Sequence, residues 1–166
     1  MIQTFALGCA TVACMPLAPC CATGRRESEC RAVEALLSHL LPGATLSHLP
    51  SGAPVADRPV CISVSHSRRI AVLAVASRPI GVDAEENRPE QLRRVASRFV
   101  TEAEEALCPS LLHAWTAKEA AFKAVPGLVA LSDITLLSVH EALAAGKRLS
   151  LVETWVGDTL ITLAEG

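Results

Sequence analysis

Apolar residues recur along this chain with two different periods, and the switches between them divide it into elements. From Ile2 to about Cys14 the chain is apolar and uncharged, which predicts one buried strand and then a turn. Cys30, Val33, Ala35, Leu36, Leu37, Leu40 and Leu41 recur at helical spacing, predicting a helix over 26–41 that Pro42-Gly43 ends. Pro50, Ser51, Gly52 and Pro54 mark a loop. Val60–Val64 and Ile70–Ala76 read as the two strands of a hairpin, with Ile80–Glu85 a third extended segment after Pro79. Asn87-Arg88-Pro89 opens a helix with Leu92, Val95, Ala96 and Phe99 on one face. Thr101 and Glu104 have capping-box spacing for a short helix that Cys108-Pro109 closes. Ser110 is the expected cap of the next helix, which Pro126-Gly127 stops. Three strands are expected at about 130–139, 149–155 and 159–163, with turns at Gly146-Lys147 and Gly157-Asp158.

Two helices end alike, at Leu41-Pro42-Gly43 and Val125-Pro126-Gly127, each before an expected strand. The echo predicts an α+β fold of two similar helix-plus-antiparallel-sheet lobes, residues 1–78 and 79–166, related by a pseudo-twofold axis. A ligand cleft is expected between them.

Composition narrows the class. With 166 residues and 51% hydrophobic content the chain can bury a core unaided, and a mean hydropathy of +0.37 excludes a disordered protein. Aromatics are 3%, so the core is aliphatic and alanine-rich, and no basic stripe interleaved with aromatics points to nucleic acid. The seven cysteines have no zinc-site spacing and are expected as reduced, mostly buried thiols of a cytoplasmic, monomeric protein. A secretory leader needs a basic start, yet the first arginine is Arg25; Gly8, Pro16 and Pro19 would break a membrane span. No membrane partner is expected. Residues 1–78 carry seven arginines against four acids, net +3, and residues 79–166 carry eight basic residues against thirteen acids, net −5. Such a division suits an anionic ligand gripped on one side and metal-bound on the other.

Two stretches carry candidate chemistry. Gly81-Val82-Asp83-Ala84-Glu85 puts two carboxylates two residues apart, so a strand points both to one face. On the helix Trp115–Lys123, residues Trp115, Lys118, Glu119, Phe122 and Lys123 fall within one arc, opposite alanines 114, 117, 120, 121 and 124. Taken singly, each has a plain reading: a solvated strand end, and an i,i+4 ion pair worth roughly 0.2–0.5 kcal/mol. Together, Asp83, Glu85 and Glu119 would make a hard-cation site with room for phosphate oxygens.

In this order and spacing the two stretches resemble the paired signature of the 4′-phosphopantetheinyl transferases, G-[IV]-D-x-E followed by W-[ST]-x-K-E-[AS]-x-x-K. Ser63-Val64-Ser65-His66-Ser67 is similar to the family's I-S-H-S segment, and Asp57-Arg58-Pro59 to its G-K-P segment. The resemblance is clear over 57–125 and lies closer to the larger, two-lobed class, with a shortened N-terminal lobe. It implies transfer of phosphopantetheine from coenzyme A to a serine of an acyl or peptidyl carrier protein, releasing 3′,5′-ADP, for use in fatty acid, polyketide or nonribosomal peptide biosynthesis. Asp83, Glu85 and Glu119 would hold Mg²⁺, or Mn²⁺, on the pyrophosphate. Glu119 would take the serine proton, directly or through water, and Lys123 would neutralise the phosphates and the departing ADP oxygen. Ser65, His66, Lys118 and Arg58 would contact coenzyme A phosphates, with Arg25, Arg26 and Arg31 as further candidates. Lys118 is open to a salt-bridge reading, and Glu104 to a place either at the metal or in the helix cap. Two other functions stay open: a carrier-binding or regulatory protein without turnover, and an unrelated Mg²⁺-dependent phosphohydrolase.

Overall fold

The computed structural model describes residues 1–17 and 24–166; Pro19, Cys20 and Cys21, which enter the reading of the N-terminal segment and of the thiols, lie outside the described residues. The fold is α+β. Strands β1 (Gln3–Leu7), β2 (Ala10–Pro16), β5 (Cys61–His66) and β6 (Ile70–Ala76) form a four-stranded sheet in the order β1-β2-β6-β5. A five-stranded sheet runs β7-β11-β10-β9-β8, from β7 (Ile80–Glu86), β8 (Ile134–Ser138), β9 (Glu141–Ala144), β10 (Lys147–Val156) and β11 (Thr159–Glu165). A two-stranded ribbon, β3 (Leu46–His48) with β4 (Pro54–Ala56), stands apart. All pairings are antiparallel.

Period-two alternation in β6 fixes the layers. Ala71 and Leu73 face helix α1 (Arg25–Leu40) and pack with its Ala32, Leu36 and Leu37. Ile70, Val72, Ala74 and Ala76 face the other way, onto Ile80, Val82 and Ala84 of β7 and Ile161 and Leu163 of β11. The far side of the five-stranded sheet is covered by α4 (Leu111–Ala124), with Leu92 of α2 (Pro89–Val95) in the same cluster. Helix α3 (Glu102–Leu107) is the third element on that side and runs beside β8.

Four expectations change. The single N-terminal strand is a hairpin: Leu7 pairs with Ala10, leaving the two-residue turn Gly8-Cys9, with Gly8 at φ 54. The loop at 50–54 joins the small ribbon β3–β4, where His48 pairs with Pro54. The expected strand at 130–139 shortens to β8, because a 3-10 turn at Leu131–Asp133 precedes it, and the chain then reverses at 139–140 into β9, an unexpected strand. That turn is tied by Ser138 Oγ, which accepts from His140 N at 3.1 Å, so it needs neither glycine nor proline. The next reversal centres on Ala145 (φ 48) and Gly146 (φ 75), one residue earlier than predicted.

The helix boundaries agree more closely. Thr101 and Glu104 make the reciprocal capping box. Ser110 holds the N-cap position of α4, although its hydroxyl bonds His113 Nδ1 at 2.9 Å instead of a backbone N–H. Cys9, Cys14, Cys30, Cys61 and Cys108 are free thiols, but they are not mostly buried as expected: of these five only Cys14 is buried, and Cys9, on a turn, and Cys30, on α1, are exposed. Among the described residues no helix is long and apolar enough to cross a membrane.

Candidate active site

The site is assembled where the free edges of β5 and β7 meet beneath α4. The edges are sewn together by alternate serines of β5. Ser63 Oγ accepts from Val82 N at 2.9 Å and Ser65 Oγ from Ala84 N at 3.2 Å. One step further along, the Glu86 carboxylate accepts from Arg68 N at 3.2 Å and Arg69 N at 3.1 Å and so holds the β5–β6 turn. Burial raises the Glu86 carboxyl, but Ser67 and those two N–H groups outweigh it and hold the pKa below the ordinary value.

On the opposite face of β7 lie Gly81, Asp83 and Glu85, under α4. A Cβ on Gly81 would sit 2.0 Å from Ala120 O and 2.6 Å from Ala124 N, so only glycine lets the helix backbone come this close. The alanine stripe does the same from the helix side, with Ala114, Ala120 and Ala121 fully buried. This close approach brings Lys123 down to the edge of β7. Its Nζ donates to Asp83 Oδ1 at 2.8 Å, Val82 O at 3.0 Å and Ser65 Oγ at 3.2 Å, and Ser65 Oγ itself donates to Asp83 Oδ1 at 2.9 Å.

Glu119 stands one turn before Lys123. Its pKa is raised by burial and then by the Asp83 charge, with Glu85 adding to the rise and Lys123 opposing it. Glu85 is held by Arg88, whose Nη2 donates to Glu85 Oε2. Among the described residues no group of three His, Cys, Asp or Glu side chains is gathered closely enough to hold a metal ion. Asp83, Glu85 and Glu119 are near enough to act on one another's charge without forming a single cluster, and Lys123 and Arg88 pair with two of them. The donor set still fits a hard cation: all three offer carboxylate oxygens, and the three carboxylates face only two side-chain cations, Lys123 and Arg88.

The arc of α4 that reads as one face is split. Lys118 turns away from Glu119 and Lys123 and is 1% exposed. Its Nζ donates to Ile134 O at 2.7 Å and pairs with Glu104 Oε1 at 2.8 Å. Glu104 also accepts from Leu136 N at 2.9 Å and Thr101 N at 2.9 Å. It is therefore a helix cap and the counter-ion of Lys118, remote from the cleft. Thr116, at the [ST] position of the motif, is equally internal: its Oγ accepts from Thr162 Oγ1 at 2.8 Å and donates to Leu112 O at 3.1 Å.

A groove of about 1130 Å³ runs from Asp83 and Lys123 past Ser65 and His66, along α1, to the β3–β4 ribbon. Of the candidate arginines only Arg26 lines it. Arg25 pairs with Glu29 at 2.6 Å and reaches Ser67 O at 3.4 Å, beside the groove mouth. Arg31 pairs with Glu27 on the exposed side of α1. Arg58 pairs with Asp57 and donates to Gly43 O at 2.9 Å, next to the lining residues Ala44 and Thr45. Sequence reasoning missed Glu29, which lines the groove and lies 3.4 Å from His66 Nδ1, and Arg88 on Glu85. The i,i+4 spacing of Arg25 and Glu29 was the available signal for the first; the i,i+3 spacing of Glu85 and Arg88 was the signal for the second.

The family model of the 4′-phosphopantetheinyl transferase superfamily matches residues 79–161, from the start of β7 into β11. The chain belongs to that superfamily, and phosphopantetheinyl transfer is the general activity this membership supports. No curated protein matches the chain.

Proposed function

We propose that the protein transfers the 4′-phosphopantetheine arm of coenzyme A to a serine of an acyl or peptidyl carrier protein, with Mg²⁺ bound, releasing 3′,5′-ADP. The observation that carries this reading is the convergence of Lys123, Asp83 and Ser65 from three elements at the end of a long groove, with Glu119 beside them. Residues 79–166 supply the candidate metal ligands and α4; residues 1–78 supply α1 and the ribbon along which the rest of coenzyme A would lie. In this reading the two parts act as lobes of a monomer.

Asp83, Glu85 and Glu119 would hold the cation, which when bound supplies charge neutralisation for a pyrophosphate. The remaining work falls to the chain's own groups. Lys123 is fixed by Val82 O and Ser65, so its ammonium sits at the phosphate end without having to be ordered by substrate. Ser65 and His66 face the groove and would hydrogen-bond phosphate oxygens. The raised pKa of Glu119 brings its carboxylate nearer to the basicity needed to accept a serine proton. Arg58, with Arg25 and Arg26, would serve the distant 3′-phosphate.

A carrier-binding protein without turnover is the second reading, favoured by Lys123 and Arg88 already pairing with Asp83 and Glu85. One experiment separates the two. Incubated with coenzyme A, Mg²⁺ and apo carrier protein, the wild type should add the mass of one phosphopantetheine arm to the carrier. Asp83→Ala, Glu85→Ala and Glu119→Ala should each lose transfer while keeping a cooperative melt. Near wild-type rates from any two of them would sink the site; carrier binding with no mass gain would establish the second reading.

A further inference from the structure

Arg88 holds the N-cap position of α2, immediately before Pro89, and its guanidinium is divided among three surroundings. Nη2 donates to Glu85 Oε2, and Nη1 donates to Gln91 Oε1 at 3.0 Å. Nε is buried and has no partner among the described residues. A buried N–H without an acceptor is disfavoured, so this placement of the side chain is held chiefly by Glu85. The other side of Arg88 opens on a second depression of about 610 Å³, which it lines with Arg68, Asn87 and Trp155. The side chain thus has Glu85 on one side and, on the other, an open depression whose lining also holds the carboxylates of Glu86 and Asp158, and one third of the side chain is exposed.

We propose that Arg88 is the resident counter-cation of Glu85. It competes with a divalent cation for the same carboxylate and moves off Glu85 toward the second depression when the cation binds. The proposal rests on the reading of Glu85 as a metal ligand. Oε2 cannot serve a guanidinium and a small hard cation at full strength together, because two positive charges would then share one oxygen. Glu85 Oε1 is also engaged, accepting from Glu86 N at 3.0 Å, so Arg88 holds the oxygen with no backbone N–H on it. Arg88 therefore lowers the cation affinity of the site as a competitor for Glu85. It keeps that carboxylate compensated while no cation is bound, and it makes cation binding depend on breaking an ion pair.

The test is a calorimetric titration of the full chain with Mn²⁺ alone, comparing wild type, Arg88→Gln, Arg88→Lys and Glu85→Gln. Removing an internal competitor raises the fraction of Glu85 ready to bind, so Arg88→Gln should bind Mn²⁺ about tenfold more tightly than wild type. Arg88→Lys, which keeps the charge, should stay near wild type, and Glu85→Gln should bind more weakly. Each variant's thermal melt confirms that it is folded. Weaker or unchanged Mn²⁺ binding by Arg88→Gln, with Glu85→Gln still impaired, overturns the counter-cation role and leaves the metal site standing. Unchanged binding by Glu85→Gln removes Glu85 from the metal site, and the proposal goes with it.

Discussion

Helix α4 carries two lysine–carboxylate pairs five residues apart, Lys118–Glu104 and Lys123–Asp83, both at 2.8 Å, in opposite surroundings. The first is closed: the Lys118 side chain is 2% exposed and Glu104 is saturated by Leu136 N and Thr101 as well. The second is open: Lys123 is 29% exposed, borders the groove and shares its corner with the raised Glu119. A lysine paired with a carboxylate at the same distance thus does different work in the two places. Buried charge that is fully hydrogen-bonded fixes how α3, α4 and β8 pack. Charge at a groove, with one carboxylate in excess, is available to a ligand.

The sharpest way to break the comparison is to remove each ammonium. Lys118→Ala leaves Glu104 buried and unpaired, at a cost of about 3–5 kcal/mol. Lys123→Ala should cost less, about 1–3 kcal/mol: Asp83 is itself buried, but it keeps the Ser65 hydroxyl and water can enter from the groove where the partly exposed Lys123 stood. Urea denaturation of both variants checks this; equal losses would mean that the two pairs are energetically alike. Changing both members of the closed pair, Glu104→Gln with Lys118→Met, should recover most of the loss because no charge is then orphaned.

Activity should reverse that ranking. Lys123→Ala should lower the transfer rate by about 10²–10³-fold, the usual cost of removing one preorganised group from developing charge. The double variant Glu104→Gln, Lys118→Met should keep its rate within a few-fold once its stability is matched by temperature. A comparable fall in both would show that Lys118 also acts on substrate.

Much of this contrast was legible before any coordinates, and one part was not. The strand 81–85, the helix 111–124, the capping box and the ligand types all follow from local period and spacing. Lys118 and Lys123 are five residues apart, about 140° around a helix, so both edges of the polar arc were visible. Which neighbour each edge meets depends on how α3 and β8 pack, and no local pattern reports that. The same limit hid the joining of β5 to β7. Ser63, Ser65 and Ser67 do alternate in step with Val82, Ala84 and Glu86, but the pairing of those edges is set by the long-range order of the two sheets. The turns at Gly8-Cys9 and at 139–140 were missed for a simpler reason: neither carries an Asn-Gly or Asp-Gly pair.

The smallest expected effect, and the one that reads the two carboxylates directly, is the pH dependence of stability. Burial raises Glu104, but Lys118 and the N–H groups of Leu136 and Thr101 outweigh it, so its folded pKa lies below the ordinary value of 4.5. A lowered carboxylate pKa contributes stability that is present above that ordinary value and disappears as pH falls through the folded one. Glu119 has the opposite sign. Its pKa is raised by burial and Asp83, so its contribution is intact below 4.5 and is lost as pH rises through the folded value. Relative to wild type, Glu104→Gln should therefore be destabilised at neutral pH, with the gap closing in acid. Glu119→Gln should match wild type in acid and become the more stable protein as pH rises. Unfolding free energies across that range check both curves, and gaps of the same sign for the two variants would end the distinction between the compensated carboxylate of the closed pair and the buried carboxylate beside the open one. Adding saturating Mg²⁺ sharpens the test further: a cation held by Glu119 favours the ionised carboxylate, so the stability advantage of Glu119→Gln should vanish while the Glu104→Gln curve stays where it is.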